Sequence, residues 1–260
     1  MRPVLFQLFG LRVFGYGAAI AVGGTIAARI LWLRRNKAGL SDETFWAFLN
    51  GLLLSGFAGG HLLYLLEYAR PGTEAFNRAA FSLSGGYSVF GGFIAVIAFV
   101  AAFARRKKIS FLRLADNVFW CAAFWHIWGR FGCFLAGCCY GLSTDFPLAV
   151  TFRDVRALVP ADLLGVPLHP TQLYEMAGNV VISAALWRAL RATDAGRWAP
   201  GLVAAGYLAS YGSLRFAVEF VRGDTLPLIG VLTAGQALSL IMLAVAGAIL
   251  AGRSRCIQSC

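Results

Sequence analysis

Charge is what this sequence has least of. Only 13% of its 260 residues are Asp, Glu, Lys or Arg, against roughly 25% in a soluble domain. Acidic residues are the scarcer kind, 12 against 23 basic ones. The deficit runs along the whole chain while 59% of residues are hydrophobic. The bilayer is therefore the expected solvent for most of the protein, with little room left for a separate soluble domain.

Other absences narrow the class further. The six cysteines (Cys121, Cys133, Cys138, Cys139, Cys256 and Cys260) form no C-x-x-C pair, so the paired zinc-ligand signature is missing. His126, Cys133 and Cys138 could together form a metal site, but no metal is expected. No pattern of signal peptide with a small-residue cleavage site opens the chain, and the first apolar run is longer than a signal h-region, so it reads as a retained helix. Neither an internal repeat of the transporter type nor a low-complexity segment is present. The net charge of +11 sits in short clusters between apolar runs, the pattern of membrane topology. Nucleic acid is not an expected partner.

What is present is a series of apolar runs, at about 11–32, 45–68, 84–104, 117–137, 173–192, 199–221 and 231–251. Basic clusters follow the first, third, fifth and seventh: Arg34, Arg35 and Lys37; Arg105, Arg106, Lys107, Lys108 and Arg113; Arg188, Arg191 and Arg197; Arg253 and Arg255. Lys and Arg mark the cytoplasmic side. The expected fold is an all-α membrane protein of about seven transmembrane helices, N-terminus outside and C-terminus cytoplasmic, in a single domain over residues 1–260. Outer loops then fall at about 69–83, 138–172 and 222–230. The middle one is long, with Pro147, Pro160, Pro167 and Pro170 and mixed charge, and is expected to form a small outer-face arm between helices four and five.

Ionisable residues at bilayer depth are costly and face the protein interior or a wet cavity. Arg130 lies in the fourth run. Tyr211, Arg215, Glu219 and Arg222 lie in or at the end of the sixth, at offsets that fall within an arc of about 80° on a helix. They form either a structural Arg–Glu ladder or an anion site; two arginines to one glutamate leave positive charge, and the guanidinium fork matches phosphate oxygens. Gly85, Gly86, Gly91 and Gly92, and Gly129, Gly132, Gly137 and Gly141, either pack helices closely or admit a ligand to the backbone. His169 opens His-Pro-Thr-Gln-Leu-Tyr-Glu (169–175), where Pro170 sets the chain direction and Gln172, Tyr174 and Glu175 fall in the first helical turn, a place that suits a carboxylate. His61 follows Gly59-Gly60, and His126 precedes Arg130 by one helical turn.

In order and at this spacing, these strings resemble the bacterial prolipoprotein diacylglyceryl transferase family along almost the whole chain. The resemblance is carried by Leu11-Arg12-Val13-Phe14-Gly15, Gly59-Gly60-His61-Leu62-Leu63-Tyr64, the basic loop from Phe103 through Asp116, Gly129-Arg130-Phe131-Gly132-Cys133-Phe134 up to Gly141, His169 to Glu175, Tyr211 to Arg222 with Asp224, and Gly235-Gln236-x-Leu238-Ser239. It implies a bacterial inner-membrane enzyme of seven spans. The implied reaction moves the sn-1,2-diacylglyceryl group of phosphatidylglycerol onto the lipobox cysteine of a prolipoprotein signal peptide, releasing glycerol phosphate, without a cofactor.

On that resemblance Arg130 and Arg215 bind the lipid phosphate, Glu219 orients Arg215, and Tyr211, His169, Gln172, Arg222, Gly91 and Gly92 line the lipid site. The sequence departs from the family at four places. Phe90 stands where well-studied members carry a histidine before Gly91-Gly92, Cys133 replaces an asparagine, Phe14 a tyrosine and His61 an arginine. The missing histidine leaves His126 as the substitute candidate for the base. The alternatives are a phospholipid-dependent transferase with another acceptor, or a non-catalytic anionic-lipid binding or transport protein.

Overall fold

The computed structural model describes residues 3–8, 11–68, 73, 76 and 86–258. Gly85, Cys260 and nearly all of the expected outer loop 69–83 lie outside the described residues, as do the side chains of Arg253, Arg255 and Cys256. The chain is mostly helical. In order come a hairpin of β1 (Val4–Leu8) and β2 (Leu11–Phe14), α1 (Gly15–Leu33), the short α2 (Arg35–Ala38), α3 (Asp42–Tyr68), α4 (Val89–Lys107) and α5 (Phe111–Ala136). After α5 come β3 (Val150–Thr151), a 3-10 turn (Ala161–Leu163), β4 (Pro167–Leu168), α6 (Thr171–Asp194), α7 (Leu202–Glu219), the hairpin strands β5 (Pro227–Ile229) and β6 (Leu232–Thr233), and α8 (Ala234–Gln258).

Each expected apolar run overlaps a long helix, with ends that differ by up to seven residues, and the first run opens with the strand Leu11–Phe14 ahead of its helix. Three of these helices are long and apolar enough to cross a membrane by length and composition: Gly15–Leu33, Asp42–Glu67 and Ala234–Gly252. Charges interrupt others of the long helices, among them Arg113, Asp116 and Arg130 in α5 and Arg215 and Glu219 in α7.

The chain forms two compact units, residues 1–31 with 116–260 and residues 32–115. In the second, Arg35 lies over the Trp32 ring at 4.1 Å, donates to the Trp32 carbonyl at 3.0 Å and pairs with Asp42. Ser41 and Thr44 cap α3 reciprocally, each side chain taking the other's backbone N–H at 2.8 and 3.2 Å, which satisfies orphan donors of the first turn. α3 and α4 then pack together through Phe48, Phe99 and Phe103 at one end and through glycines at the other. A Cβ on Gly59 would stand 2.6 Å from the Gly91 carbonyl oxygen, and one on Gly92 3.1 Å from that of Gly56. Gly91 and Gly92 therefore let two helix backbones touch.

The first unit has its apolar core between α5, α6, α7 and α8, from Trp120, Ala123, Leu186, Leu190, Val203, Tyr207 and Met242. Buried Trp120 finds its polar partner by donating to the Ser183 carbonyl at 3.0 Å. Asp116 (1% exposed) accepts the backbone N–H groups of Gly201 and Ala204 at 2.7 and 2.9 Å, closing the N-terminal end of α7. The arm is ordered. β3 pairs antiparallel with β4, and Phe152, Val159 and Leu168 make a small core of their own. The arm is laced to the end of α7: the Leu142 N–H donates to the Val221 carbonyl at 2.9 Å and that of Gly223 to the Tyr140 carbonyl at 3.0 Å. A Cβ at Gly141 would lie 2.5 Å from His169 and 2.8 Å from the Val221 carbonyl, so only glycine passes at this crossing.

Candidate active site

Three arginines and two glutamates meet where α5, α6 and α7 come together. Glu175, one residue past the first turn of α6 and fully buried, is the centre. Its Oε2 lies 2.9 Å from Arg130 Nη2, and its Oε1 lies 3.7 Å from Arg215 Nη1 and 3.6 Å from Arg222 Nη1. Arg215 also pairs with Glu219 one turn along α7. The Tyr211 hydroxyl reaches Glu175 Oε2 at 3.5 Å. The Glu219 carboxylate is fixed from the other side: Thr233, at the end of β6, donates its hydroxyl to Oε1 at 2.7 Å, and a Cβ on Gly235 would stand 2.7 Å from both oxygens.

The role of Glu175 differs from the one expected at the entry of a helix. Its carboxylate serves the arginines and not the backbone N–H groups of α6. It carries no acidic signature that pattern reading separates from a cap; burial is what distinguishes it. The stripe on α7 also ends sooner than expected. The helix stops at Glu219, and Arg222 joins because the next residues continue as a tightened turn, with the Arg222 N–H on the Glu219 carbonyl at 3.3 Å. Arg222 is shared with Asp224, at 2.9 and 2.8 Å. With Glu175 and Asp224 counted, three cations face three anions, so the expected positive excess is balanced.

An ion cluster with this geometry is not a finished structural ladder. Ionic contacts at 3.6–3.7 Å are too long for hydrogen bonds. Among the described residues Glu175 Oε1, Gln172 Oε1 and Asn179 Oδ1 are buried without a hydrogen-bond partner. Buried polar groups are nearly always satisfied, and charges taken out of water repay their desolvation only with excellent geometry. The Arg130 and Arg215 side chains keep 17% and 14% of their surface.

The remaining expected residues are placed as follows. His126 Nδ1 lies 3.0 Å from the Tyr207 hydroxyl, and its ring packs 4.7 Å from that of Tyr211. It reaches the cluster through Tyr211. His169 Nδ1 lies 3.2 Å from the Tyr174 hydroxyl at the root of the arm. Gln172 donates to the Cys138 carbonyl at 2.7 Å, and Thr171 to that of Cys139 at 2.6 Å. Gly91 and Gly92 belong to the other unit. Cys133, Cys138 and Cys139 bring three sulfurs within 4.8 Å of one another, the group among the described residues able to hold a metal ion.

Residues 3–251 match the sequence model of the family described as prolipoprotein diacylglyceryl transferase. Among curated proteins, the phosphatidylglycerol–prolipoprotein diacylglyceryl transferase of Clostridium tetani is 33% identical over 92% of this chain and 93% of its own length. The corresponding transferase of Solidesulfovibrio magneticus is 34% identical over 92% and 89%, and transferase 2 of Clostridium perfringens is 30% identical over 94% and 92%.

Proposed function

We infer from one premise, that the chain belongs to the prolipoprotein diacylglyceryl transferase family, that it moves the sn-1,2-diacylglyceryl group of phosphatidylglycerol onto the lipobox cysteine of a prolipoprotein and releases glycerol phosphate. The observation that carries the site assignment is the convergence of Arg130, Arg215 and Arg222 on Glu175. The chemistry is attack of a thiol on the glycerol carbon that bears the phosphate. Negative charge gathers on the departing phosphate, and preoriented guanidinium groups in a site shielded from water stabilise that charge. Arg130 and Arg215 hold the phosphate. The lipid displaces loose arginine–glutamate contacts for tighter arginine–phosphate ones. Glu175 and Glu219 keep the forks aimed, Tyr211 and Arg222 flank them, and His169 and Gln172 set the root of the arm. His126, the substitute base on the sequence reading, acts as a positioning residue beneath Tyr211.

The chain is placed in the bacterial inner membrane as one transmembrane domain of seven spans, with the arm at about 138–172 on the outer face. The support is the charge pattern: α4 ends on Arg105, Arg106 and Lys107, and α6 has Arg191 in its last turn. The N-terminus is then outside and the C-terminus cytoplasmic.

The test is a vesicle assay with phosphatidylglycerol and a lipobox peptide, reading glycerol phosphate and thioether-linked peptide together. Arg130→Ala and Arg215→Ala should each lower transfer by about 10²–10³-fold, the loss typical of one transition-state donor. Normal lipidation by both variants would falsify the assignment. Glycerol phosphate release with a peptide whose cysteine is replaced by serine would instead show a different acceptor.

A further inference from the structure

The way α5 ends sets two cysteines side by side. The helix stops at Ala136, and Gly137 turns into the left-handed region at φ 79. The N–H groups of Gly137 and Cys138 both donate to the Cys133 carbonyl, at 2.9 and 3.2 Å. A helix that closes on a glycine in this way brings the side chain three residues before its cap against the second one beyond it. Here those residues are Cys133 and Cys138. The Cys138 sulfur lies 3.8 Å from the Cys133 carbonyl oxygen, so its side chain folds back over the last helical turn. Cys139 follows at φ 60, and the three sulfurs come within 4.8 Å of one another. All three thiols are free and partly buried. The turn is also a junction. Thr171 and Gln172 of α6 donate to the carbonyls of Cys139 and Cys138, and from the arm the Leu158 N–H donates to the Ala136 carbonyl at 2.9 Å.

We propose that Cys133 and Cys138 are a redox-modified pair that closes to a disulfide on the outer face and clips the end of α5 to the root of the arm. The proposal rests on the outer-face placement of the arm and is independent of the transfer reaction. Disulfides form and persist in oxidising compartments outside the cytoplasm, so that placement decides whether the pair meets an oxidant. The choice of pair follows from the backbone. Bridged cysteines usually have Cα atoms about 4.4–6.8 Å apart. Adjacent residues are held at about 3.8 Å, which disfavours Cys138 with Cys139. Cys133 and Cys138 are the two that the helix end itself sets in contact.

The oxidant is another disulfide, carried by a protein or a small molecule of the outer compartment. One cysteine of the pair, as its thiolate, attacks a sulfur of that disulfide, whose S–S bond breaks and whose other sulfur leaves. The second cysteine attacks the mixed disulfide, the new S–S bond forms across the helix end, and the oxidant's remaining sulfur leaves. The pair gives up two electrons, the oxidant takes them, and the two protons end on its thiols. The bond ties a residue of the last turn of α5 to the first residue of the arm. It thereby holds the cap at Gly137 and the two carbonyls that receive Thr171 and Gln172. Cys139 stays a free thiol.

The test uses the full-length protein in detergent micelles, with a chelator present. Reduced protein treated with oxidised glutathione should close the Cys133–Cys138 bond, read by mass spectrometry as a joined peptide pair under non-reducing conditions. Closure should raise the thermal midpoint by several degrees, and a reductant should reverse the rise. Cys139→Ser should keep the bond and the rise, whereas Cys133→Ser and Cys138→Ser should each lose both. In intact cells, acid quenching followed by alkylation should find the pair oxidised. Failure to close, a different pairing within the cluster, linkage between molecules only, or closure without a rise in the midpoint overturns the proposal. Closure in micelles with a reduced pair in cells also overturns it and removes the outer-face placement, and glycerol phosphate release by the same protein leaves the transferase reading intact. An oxidised pair in cells without any glycerol phosphate release supports the clip and removes the transferase reading.

Discussion

Two carboxylates are buried in the same helical unit and held in opposite ways. Asp116 holds backbone tightly: its two oxygens take the Gly201 and Ala204 N–H groups at 2.7 and 2.9 Å. Glu175 faces side chains: three arginines approach it, two of them no closer than 3.6 Å, and one oxygen lacks a hydrogen bond. The first arrangement is complete and holds a helix start in place. The second leaves ionic contacts loose and arginine side chains partly exposed, which suits a site that exchanges partners with a ligand. Burial alone does not separate structural from chemical charge; the tightness of the contacts does.

Glu175→Gln should break the contrast most strongly. It removes the common counter-charge of three arginines, and because small misplacements of binding groups cost about a hundredfold in rate, transfer should fall by that order in the vesicle assay. Circular dichroism should still report the wild-type helix content. A variant with wild-type transfer would return Glu175 to a purely structural role. Asp116→Asn should separate the two sites from the other side. Weakened capping of α7 costs about 1–2 kcal/mol, read as a lower thermal midpoint in detergent, while the rate per folded molecule stays at the wild-type value. A rate loss larger than the stability loss would mean that Asp116 also shapes the site.

The smallest effect belongs to a third carboxylate. Asp154, on the arm, is held by Arg156 at about 2, below the usual carboxylate range, through hydrogen bonds at 2.9 and 2.7 Å. Because the folded-state value is depressed, whatever stability the pair contributes is present above the ordinary carboxylate range and is lost only as pH falls toward 2. The pair is solvent-exposed, and such pairs contribute little. Asp154→Asn should leave transfer and the thermal midpoint at neutral pH unchanged within error; a clear drop in either would show that the arm transmits load to the cluster.

Much of this was legible in the sequence for physical reasons. Long apolar runs became long helices because their spacing leaves few other options. Arg130, Arg215 and Glu219 stood out because charge is costly in such surroundings. Glu175 did not, because a carboxylate near a helix start already has a local explanation. The contribution of Thr233 to Glu219 depends on a hairpin returning to α7, which no local pattern encodes. The sequence reading grouped Cys133 and Cys138 with His126, whereas the structure brings Cys139 and not His126 to them. The left-handed turns at Gly137 and Cys139 after the helix end bring the three cysteines together, which paired spacing does not encode. Gly91 and Gly92 were visible as unusual, and the structure gives them a packing role in their own unit.

The arginine–glutamate cluster also constrains how the protein is made. Arg130 enters on α5 and its partner Glu175 on α6, so synthesis delivers this arginine before the carboxylate that neutralises it, whereas Arg215 arrives on α7 with Glu219 one turn on. A lone charge at the centre of an inserted helix costs roughly 2.5–3.5 kcal/mol on insertion scales. On the seven-span reading, α5 with Arg130 is the helix least comfortable in lipid by itself. It is then best held at the insertion machinery until α6 brings Glu175, so that a residue that recognises the lipid also sets the order of assembly.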